Sequence, residues 1–195
     1  MSDTLLWYTT RGAGAVSLLL LTAVVALGVL TAVRFEAPGW PRFLTAAFHR
    51  NLSLTALVFL ALHVVTAVTD PYAHLGWAVA VVPLASWYRP LWVALGTIAL
   101  DLLLAVVATS LLRRWLGRAA WRAVHWLAYA AWPVAFVHGI GAGTDAGSDW
   151  MIAVDFACAG ALLTALAGRV VGPRPDRMAE PRARFRASVR REVTR

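Results

Sequence analysis

The sequence contains very little cysteine and few charged residues. Its one cysteine, Cys158, lies inside an apolar segment, so no pair exists for an internal disulfide and no Cys-x-x-Cys for a metal or an iron–sulfur cluster. Charged residues make up only 14% of the chain. We interpret Cys158 as a small buried apolar residue, and any cofactor would have to be held by other side chains.

Long apolar runs dominate the rest of the sequence. Hydrophobic residues make up 60% of it, and they form five blocks of the length needed to cross a hydrocarbon core of about 30 Å. A soluble chain of this size has no interior in which to bury five such blocks. The sequence therefore predicts an all-α membrane protein, a five-span bundle in which the first block is a retained helix and not a cleaved signal. The predicted spans are Gly12 to Val33, Phe48 to Val68, Leu91 to Leu112, Ala123 to Ala142 and Met151 to Val171.

The basic residues are all arginines, and their distribution predicts the orientation. Sixteen of the eighteen fall in segments on one side of the predicted spans, and only Arg11 and Arg89 fall on the other. Because positive charge is retained on the cytoplasmic side, we expect a multi-pass protein of the cell membrane with its N-terminus outside and its C-terminus inside. The net charge of +8 is then mainly a topology signal and does not indicate nucleic-acid binding.

Two units follow from this pattern. Residues 1–171 are predicted to form the membrane domain, whereas residues 172–195 form a basic tail that is expected to be disordered or to lie on anionic membrane lipid. On the outer side, the apolar stretch from Leu75 to Ala85 is too short to span and is expected to form an interfacial cap.

Four of the five histidines lie in two predicted spans, where polar side chains are costly and tend to mark function. His49 and His63 are fourteen residues apart in the second span, and His125 and His138 are thirteen apart in the fourth. Both spans run from inside to outside, so each histidine has a partner at its own depth, and the two levels are about 20 Å apart. This arrangement predicts two haems stacked through the bilayer between helices 2 and 4, each with two imidazole ligands.

The fourteen-residue spacing places two histidines on one face of a helix better than the thirteen-residue spacing does. Fourteen residues return to within about 40° of the starting face, whereas thirteen leave His138 about 140° from His125 on an ideal helix. Pro133 lies between them, and we expect a kink there to turn the outer histidine toward its partner.

Glycines and arginines near the two levels are further candidates for cofactor binding. Gly14 and Gly28 of the first span are also fourteen residues apart, and a missing side chain would allow a flat macrocycle to approach the backbone, although glycine also serves ordinary helix packing. Haem propionates need cations near the membrane surface. The candidates are Arg50 and Arg122 at the inner level and Arg11 and Arg89 at the outer level.

The histidine spacing resembles that of the transmembrane domain of ferric reductases and NADPH oxidases, including the bacterial haem subunit of the periplasmic methionine sulfoxide reductase system. The resemblance covers roughly residues 5 to 170. It is carried by Phe48-His49-Arg50, Ala61-Leu62-His63, Trp121-Arg122-Ala123-Val124-His125-Trp126, Phe136-Val137-His138-Gly139 and the loop Ser86-Trp87-Tyr88-Arg89-Pro90-Leu91-Trp92.

The resemblance implies an oxidoreductase component that transfers electrons through two b-type haems to an extracytoplasmic acceptor. The sequence has no Gly-rich nucleotide loop, so a separate flavoprotein or quinol is the expected donor. Two alternatives remain open from the residues alone. One is a proton or ion conduit that uses His49, His63, Asp101 and Asp155, and the other is a membrane anchor for a soluble redox partner.

Overall fold

The structure is a computed structural model and describes residues 3–33, 35, 40–71 and 73–171. All the regular secondary structure in these ranges is helical, as the apolar runs predict. The predicted tail, residues 172–195, lies outside the described residues. In chain order the helices are α1 (Asp3–Ala32), α2 (Arg42–Thr69), α3 (Gly76–Val79), α4 (Pro90–Leu111), α5 (Arg113–His125), α6 (Leu127–Ala142) and α7 (Asp149–Val171).

Four of these helices are long and apolar enough to cross a membrane: α1, α2, α4 and α7. Their outward faces carry large exposed apolar side chains, such as Phe43, Leu104 and Phe156, as lipid-facing surfaces do. Two helices begin well before their predicted spans, α1 at Asp3 and α2 at Arg42, whereas α4 and α7 begin within two residues of theirs. The reason is that an apolar run marks the thickness of the hydrocarbon core, whereas a helix can continue into the interface.

The predicted span from Ala123 to Ala142 is divided between two helices. It comprises the end of α5, Trp126 and the 16 residues of α6, and α6 alone is about 24 Å long. α5 differs from every other helix of the described chain, because it contains four arginines and no buried residue. Gly117, with φ 75°, interrupts it near its middle, and glycine is the residue that adopts this backbone conformation without steric cost.

α1 lies at the centre of the bundle and packs against α2, α6 and α7, while α4 packs against α5 and α6. A cluster of buried side chains joins α1 to α6 and α7: Leu18, Val25, Trp132, Cys158 and Leu162. Cys158 is only 2% exposed, which confirms its interpretation as a buried apolar residue. α2 and α6 are not among the closely packed helix pairs, so the histidine-bearing helices face each other across a gap.

The segment between α2 and α4 forms a cap held to the bundle by hydrogen bonds. Its one helical turn, α3, is followed by turns that extend to Arg89. Thr97 of α4 donates its hydroxyl to the carbonyl oxygen of Val79 at 2.7 Å. The stretch predicted to be interfacial is therefore anchored to the start of α4, on the same side as the α6–α7 connection.

Candidate functional site

The four histidines form two facing pairs. The ring centroids of His49 and His125 are 6.3 Å apart, and those of His63 and His138 are also 6.3 Å apart. The ring planes are steeply inclined to each other, at 71° in the first pair and 74° in the second. The sequence predicted this pairing by depth, and the structure brings the predicted partners together.

Three of the four imidazoles are held by backbone carbonyl groups of neighbouring helices. Their tautomer is assigned from these contacts: Nδ1–H donates to the carbonyl, which leaves Nε2 with a free lone pair. A carbonyl acceptor behind the ring is the usual support of a metal-binding histidine, because it fixes the ring and makes the free nitrogen more basic. The bonds run from His49 to Val24 at 2.9 Å, from His63 to Thr10 at 2.8 Å and from His138 to Trp92 at 2.8 Å.

His125 is the exception. Its Nδ1 is buried and has no hydrogen-bond partner among the described residues. Its ring instead stacks on Trp121, one helical turn earlier, with centroids 4.9 Å apart and planes inclined at 28°. Trp121 donates its indole N–H to the hydroxyl of Ser110 at 3.3 Å, so the inner pair is supported from α4 through an aromatic ring.

The ring separation distinguishes two kinds of chemistry. Two imidazoles joined by a direct hydrogen bond would have centroids about 5 Å apart. Two imidazoles on opposite sides of one metal, with metal–nitrogen bonds of about 2 Å, would have centroids about 6 Å apart. The observed 6.3 Å in both pairs fits one metal between two nitrogens.

The donor set favours a metal whose remaining ligands come from a macrocycle. Within the described ranges no three or more His, Cys, Asp or Glu side chains are grouped so that they could hold a metal ion. A pair of trans imidazoles is the ligand set of a six-coordinate haem, in which the porphyrin supplies the other four nitrogens. The residues at both levels therefore fit this cofactor.

A cavity of about 290 Å³ surrounds the outer pair and is lined almost entirely by apolar groups. His63 and His138 line it, together with the outer ends of α1, α2, α4 and α6 and the start of α7. Three buried polar atoms from lining residues of α1 have no partner among the described residues: Thr10 Oγ1, Arg11 Nε and Ser17 Oγ. Polar atoms buried without partners are costly, and here they are available to a bound molecule that carries acceptor groups.

The predicted outer cations occupy different positions relative to this cavity. Arg11 lines it, forms an ion pair with Asp145 and lies 3.8 Å from the ring centroid of Trp7. Arg89 is not among the lining residues and donates to the carbonyl oxygen of Gly141 at 2.7 Å. Arg11 is therefore available to a group in the cavity, whereas Arg89 connects the start of α4 to the end of α6.

The predicted inner cations, Arg50 and Arg122, are both exposed. Each lies within three residues of a histidine of the inner pair in sequence, and the guanidinium group of neither forms a hydrogen bond or ion pair with the described residues. Asp101 and Asp155 lie half-buried on α4 and α7, outside the set of residues that line the cavity.

Glycines lie directly against three of the histidine rings. The sequence predicted Gly14 and Gly28 near the two levels, and the structure places them beside the rings of His63 and His49. A third glycine, Gly96 of α4, lies in the same way beside His138. The sequence analysis missed Gly96 because it is isolated in an apolar run, without a matching glycine at the other level.

Between the two histidines the helix tightens at Trp126, a feature that the sequence did not predict. His125 ends α5, Trp126 separates it from α6, and the hydrogen bond from the Tyr129 N–H to the Trp126 carbonyl, at 3.0 Å, spans only three residues. Pro133 lies farther along, inside α6. Trp126 keeps a right-handed helical backbone, with φ −63° and ψ −22°, and each of the two rings faces a histidine of α2.

Comparison with known proteins identifies the family. Residues 13–136 match the family described as "Ferric reductase like transmembrane component", which is more than half of the chain and includes three of the four histidines. No curated protein and no solved structure matches. Transmembrane electron transfer is the function that this family suggests. With its apolar helices and facing histidine pairs, the chain belongs to the ferric reductase like transmembrane component family.

Proposed function

We propose that this protein transfers electrons across the membrane through two b-type haems, as the haem-bearing component of an oxidoreductase. The observation that carries the proposal is that the four imidazoles form two facing pairs. Within each pair the ring centroids are 6.3 Å apart, and the two pairs are about 20 Å apart along the helices. His49 and His125 would ligate the inner haem, and His63 and His138 the outer haem.

A bound haem would supply an iron that accepts and releases one electron. With two imidazoles bound to one iron, the site would favour electron transfer over oxygen binding, because no coordination position would stay open. The chain contributes rigid ligand positions, since three imidazoles are fixed by backbone carbonyls. The apolar lining of the outer cavity would exclude water and so influence the potential of the iron.

The arginines are proposed to bind haem propionates. Arg11 suits this role best at the outer level, because its Nε is unpartnered among the described residues and it lines the cavity. Arg50 and Arg122 are the candidates at the inner level. Arg89 lies at the edge of the outer site, where it would hold the end of α6 through its hydrogen bond to the Gly141 carbonyl oxygen.

The path of the electron is proposed from the distribution of arginines. A separate flavoprotein or a quinol would deliver electrons at the cytoplasmic side, near the level of His49 and His125. An extracytoplasmic acceptor would take them at the level of His63 and His138, beneath the cap between α2 and α4. In this proposal α6 and the end of α5 cross the membrane as the fifth span, which puts the C-terminus in the cytoplasm.

The test is a visible spectrum of the purified protein in its oxidised and reduced states, with a pyridine assay for haem type and quantity. We expect two b-type haems per chain. A ratio near one in fully loaded protein would show that one histidine pair is not a ligand set. Protein that folds in the membrane but shows no haem absorption would contradict the proposal and favour a proton or ion conduit.

A further inference from the structure

The three carbonyl-bound histidines share one local arrangement that involves glycine. In each case the acceptor carbonyl belongs to the residue four positions before the glycine that contacts the ring: Thr10 with Gly14, Val24 with Gly28, and Trp92 with Gly96. In an α-helix this carbonyl also accepts the glycine's own N–H. A side chain at the later position would lie over the carbonyl on the same face of the helix, and glycine leaves that face open to a second donor.

The three glycines differ in how closely the ring approaches them. A Cβ atom at Gly96 would lie 2.6 Å from Cε1 and 2.7 Å from Nδ1 of His138. At Gly14 it would lie 2.9 Å from Nδ1 of His63, whereas at Gly28 it would lie 3.4 Å from Cε1 of His49. A methyl group at the first two positions therefore requires the imidazole ring to shift, whereas at the third it reaches only ordinary contact.

We infer that Gly14 and Gly96 are positioning residues that clamp the outer histidine pair from opposite sides. The inference rests on the proposed function, because the clamp would affect the properties of an iron bound by both rings. Gly14 holds His63 against α1, and Gly96 holds His138 against α4. Each glycine keeps a ring at the distance at which its Nδ1–H reaches a carbonyl, and so limits how far that ring can rotate.

The inner pair has no equivalent clamp. Gly28 leaves room for a methyl group beside His49, and His125 has no carbonyl partner among the described residues. His125 also ends α5, a helix without buried residues. The two levels should therefore respond differently to the same glycine-to-alanine change.

Two signatures report on the clamp. A carbonyl acceptor on Nδ1–H makes the imidazole a stronger donor and favours the oxidised iron, so loss of the bond should raise the midpoint potential of that haem. Crossed ring planes keep two iron d orbitals close in energy, so rotation of one ring should change the g values of the ferric EPR signal.

The experiment compares five single variants of the full-length haem-loaded protein: Gly14→Ala, Gly96→Ala, Gly28→Ala, Gly12→Ala and Gly160→Ala. The last two are controls, because both positions are exposed and a Cβ there meets nothing within 4 Å. His63→Ala and His49→Ala assign the EPR signals and the redox steps to the outer and inner levels.

We expect Gly14→Ala and Gly96→Ala each to shift the outer EPR signal and raise the outer midpoint potential, with the inner signal unchanged. Gly12→Ala and Gly160→Ala should leave both levels as in wild type, and Gly28→Ala should change the inner signal less than Gly14→Ala and Gly96→Ala change the outer one. If Gly96→Ala does not accumulate as folded protein, Gly14→Ala tests the same clamp from the other helix.

Two failures can be told apart. Normal haem signals in wild type, with Gly14→Ala and Gly96→Ala indistinguishable from Gly12→Ala, would overturn the clamp and leave the proposed function intact. Wild-type protein that lacks an outer haem signal would refute the proposed function at this level, and the clamp with it.

Discussion

Each histidine is one of two side chains at its level, and the levels are about 20 Å apart. We therefore expect His63→Ala or His138→Ala to remove the outer haem and to leave most of the inner spectrum. Haem content and the visible spectrum of the purified variants provide the measurement. His74→Ala is the matched control, because this histidine lies in the loop before α3, outside both pairs. Equal loss of both haems in a folded His63 variant would contradict independent sites.

The glycines illustrate the limit of sequence analysis at the scale of single residues. The fourteen-residue spacing of Gly14 and Gly28 matched the histidine levels and indicated their importance. Their contact with the imidazole rings could not be derived from spacing, because it depends on the rotation of α1 relative to α2. Gly96 carried no sequence signal, since only the packing of α4 against α6 brings it to His138.

At the scale of helices, one hydrogen bond links α1 to α6. Trp132 is buried and donates its indole N–H to the hydroxyl oxygen of Thr22 at 2.8 Å. In Thr22→Val this buried donor loses its acceptor, and we expect the free energy of unfolding to fall by about 1–3 kcal/mol. Thermal unfolding in detergent provides the measurement.

The control for this change is Thr164→Val. Thr164 is exposed and bonds only to the carbonyl oxygen of Gly160 in its own helix. Its variant should unfold close to the wild-type temperature, and an equal decrease in the two variants would show that the link between α1 and α6 contributes nothing measurable.

Arg89 connects α4 to α6 on the outer side, through its bond to the Gly141 carbonyl oxygen. We expect Arg89→Ala to alter the outer haem's potential, or its reoxidation by an impermeant oxidant added outside, more than it alters haem reduction from inside. The rates of both steps can be measured in oriented vesicles. Arg118→Ala on the exposed α5 is the control. Slower reduction from inside with unchanged reoxidation would contradict either the orientation or the assignment of Arg89 to the outer level.

The boundary between α5 and α6 is the main difference from the predicted helices. Hydrophobicity alone placed residues 123–142 in one span, because the apolar character of the run does not change at Trp126, where α5 and α6 meet. From the sequence, we expected a kink at Pro133 to turn His138 toward the same side as His125. The structure adds a tighter turn at Trp126, between α5 and α6.

At the scale of the whole molecule, the number of crossings can be tested by labelling. If α6 and the end of α5 cross the membrane, Arg118 and Gly147 lie on opposite sides. Both positions are exposed, and a Cβ at Gly147 meets nothing within 4 Å, while the native Cys158 is buried. We expect an impermeant maleimide to label Gly147→Cys from outside and Arg118→Cys only after the membrane is opened. Labelling of both from the same side would mean that this segment does not cross.

The sequence by itself determined the helical membrane class, the histidine levels and the partner of each histidine. These follow from run length and residue spacing along a helix of known rise, which are local properties. The tertiary structure decided the distance between the rings, the carbonyl behind each of three histidines, the missing carbonyl partner of His125 among the described residues, and the role of Gly96. Each of these depends on how far one helix is rotated and displaced against another, and that is fixed by side-chain packing among residues distant in the chain.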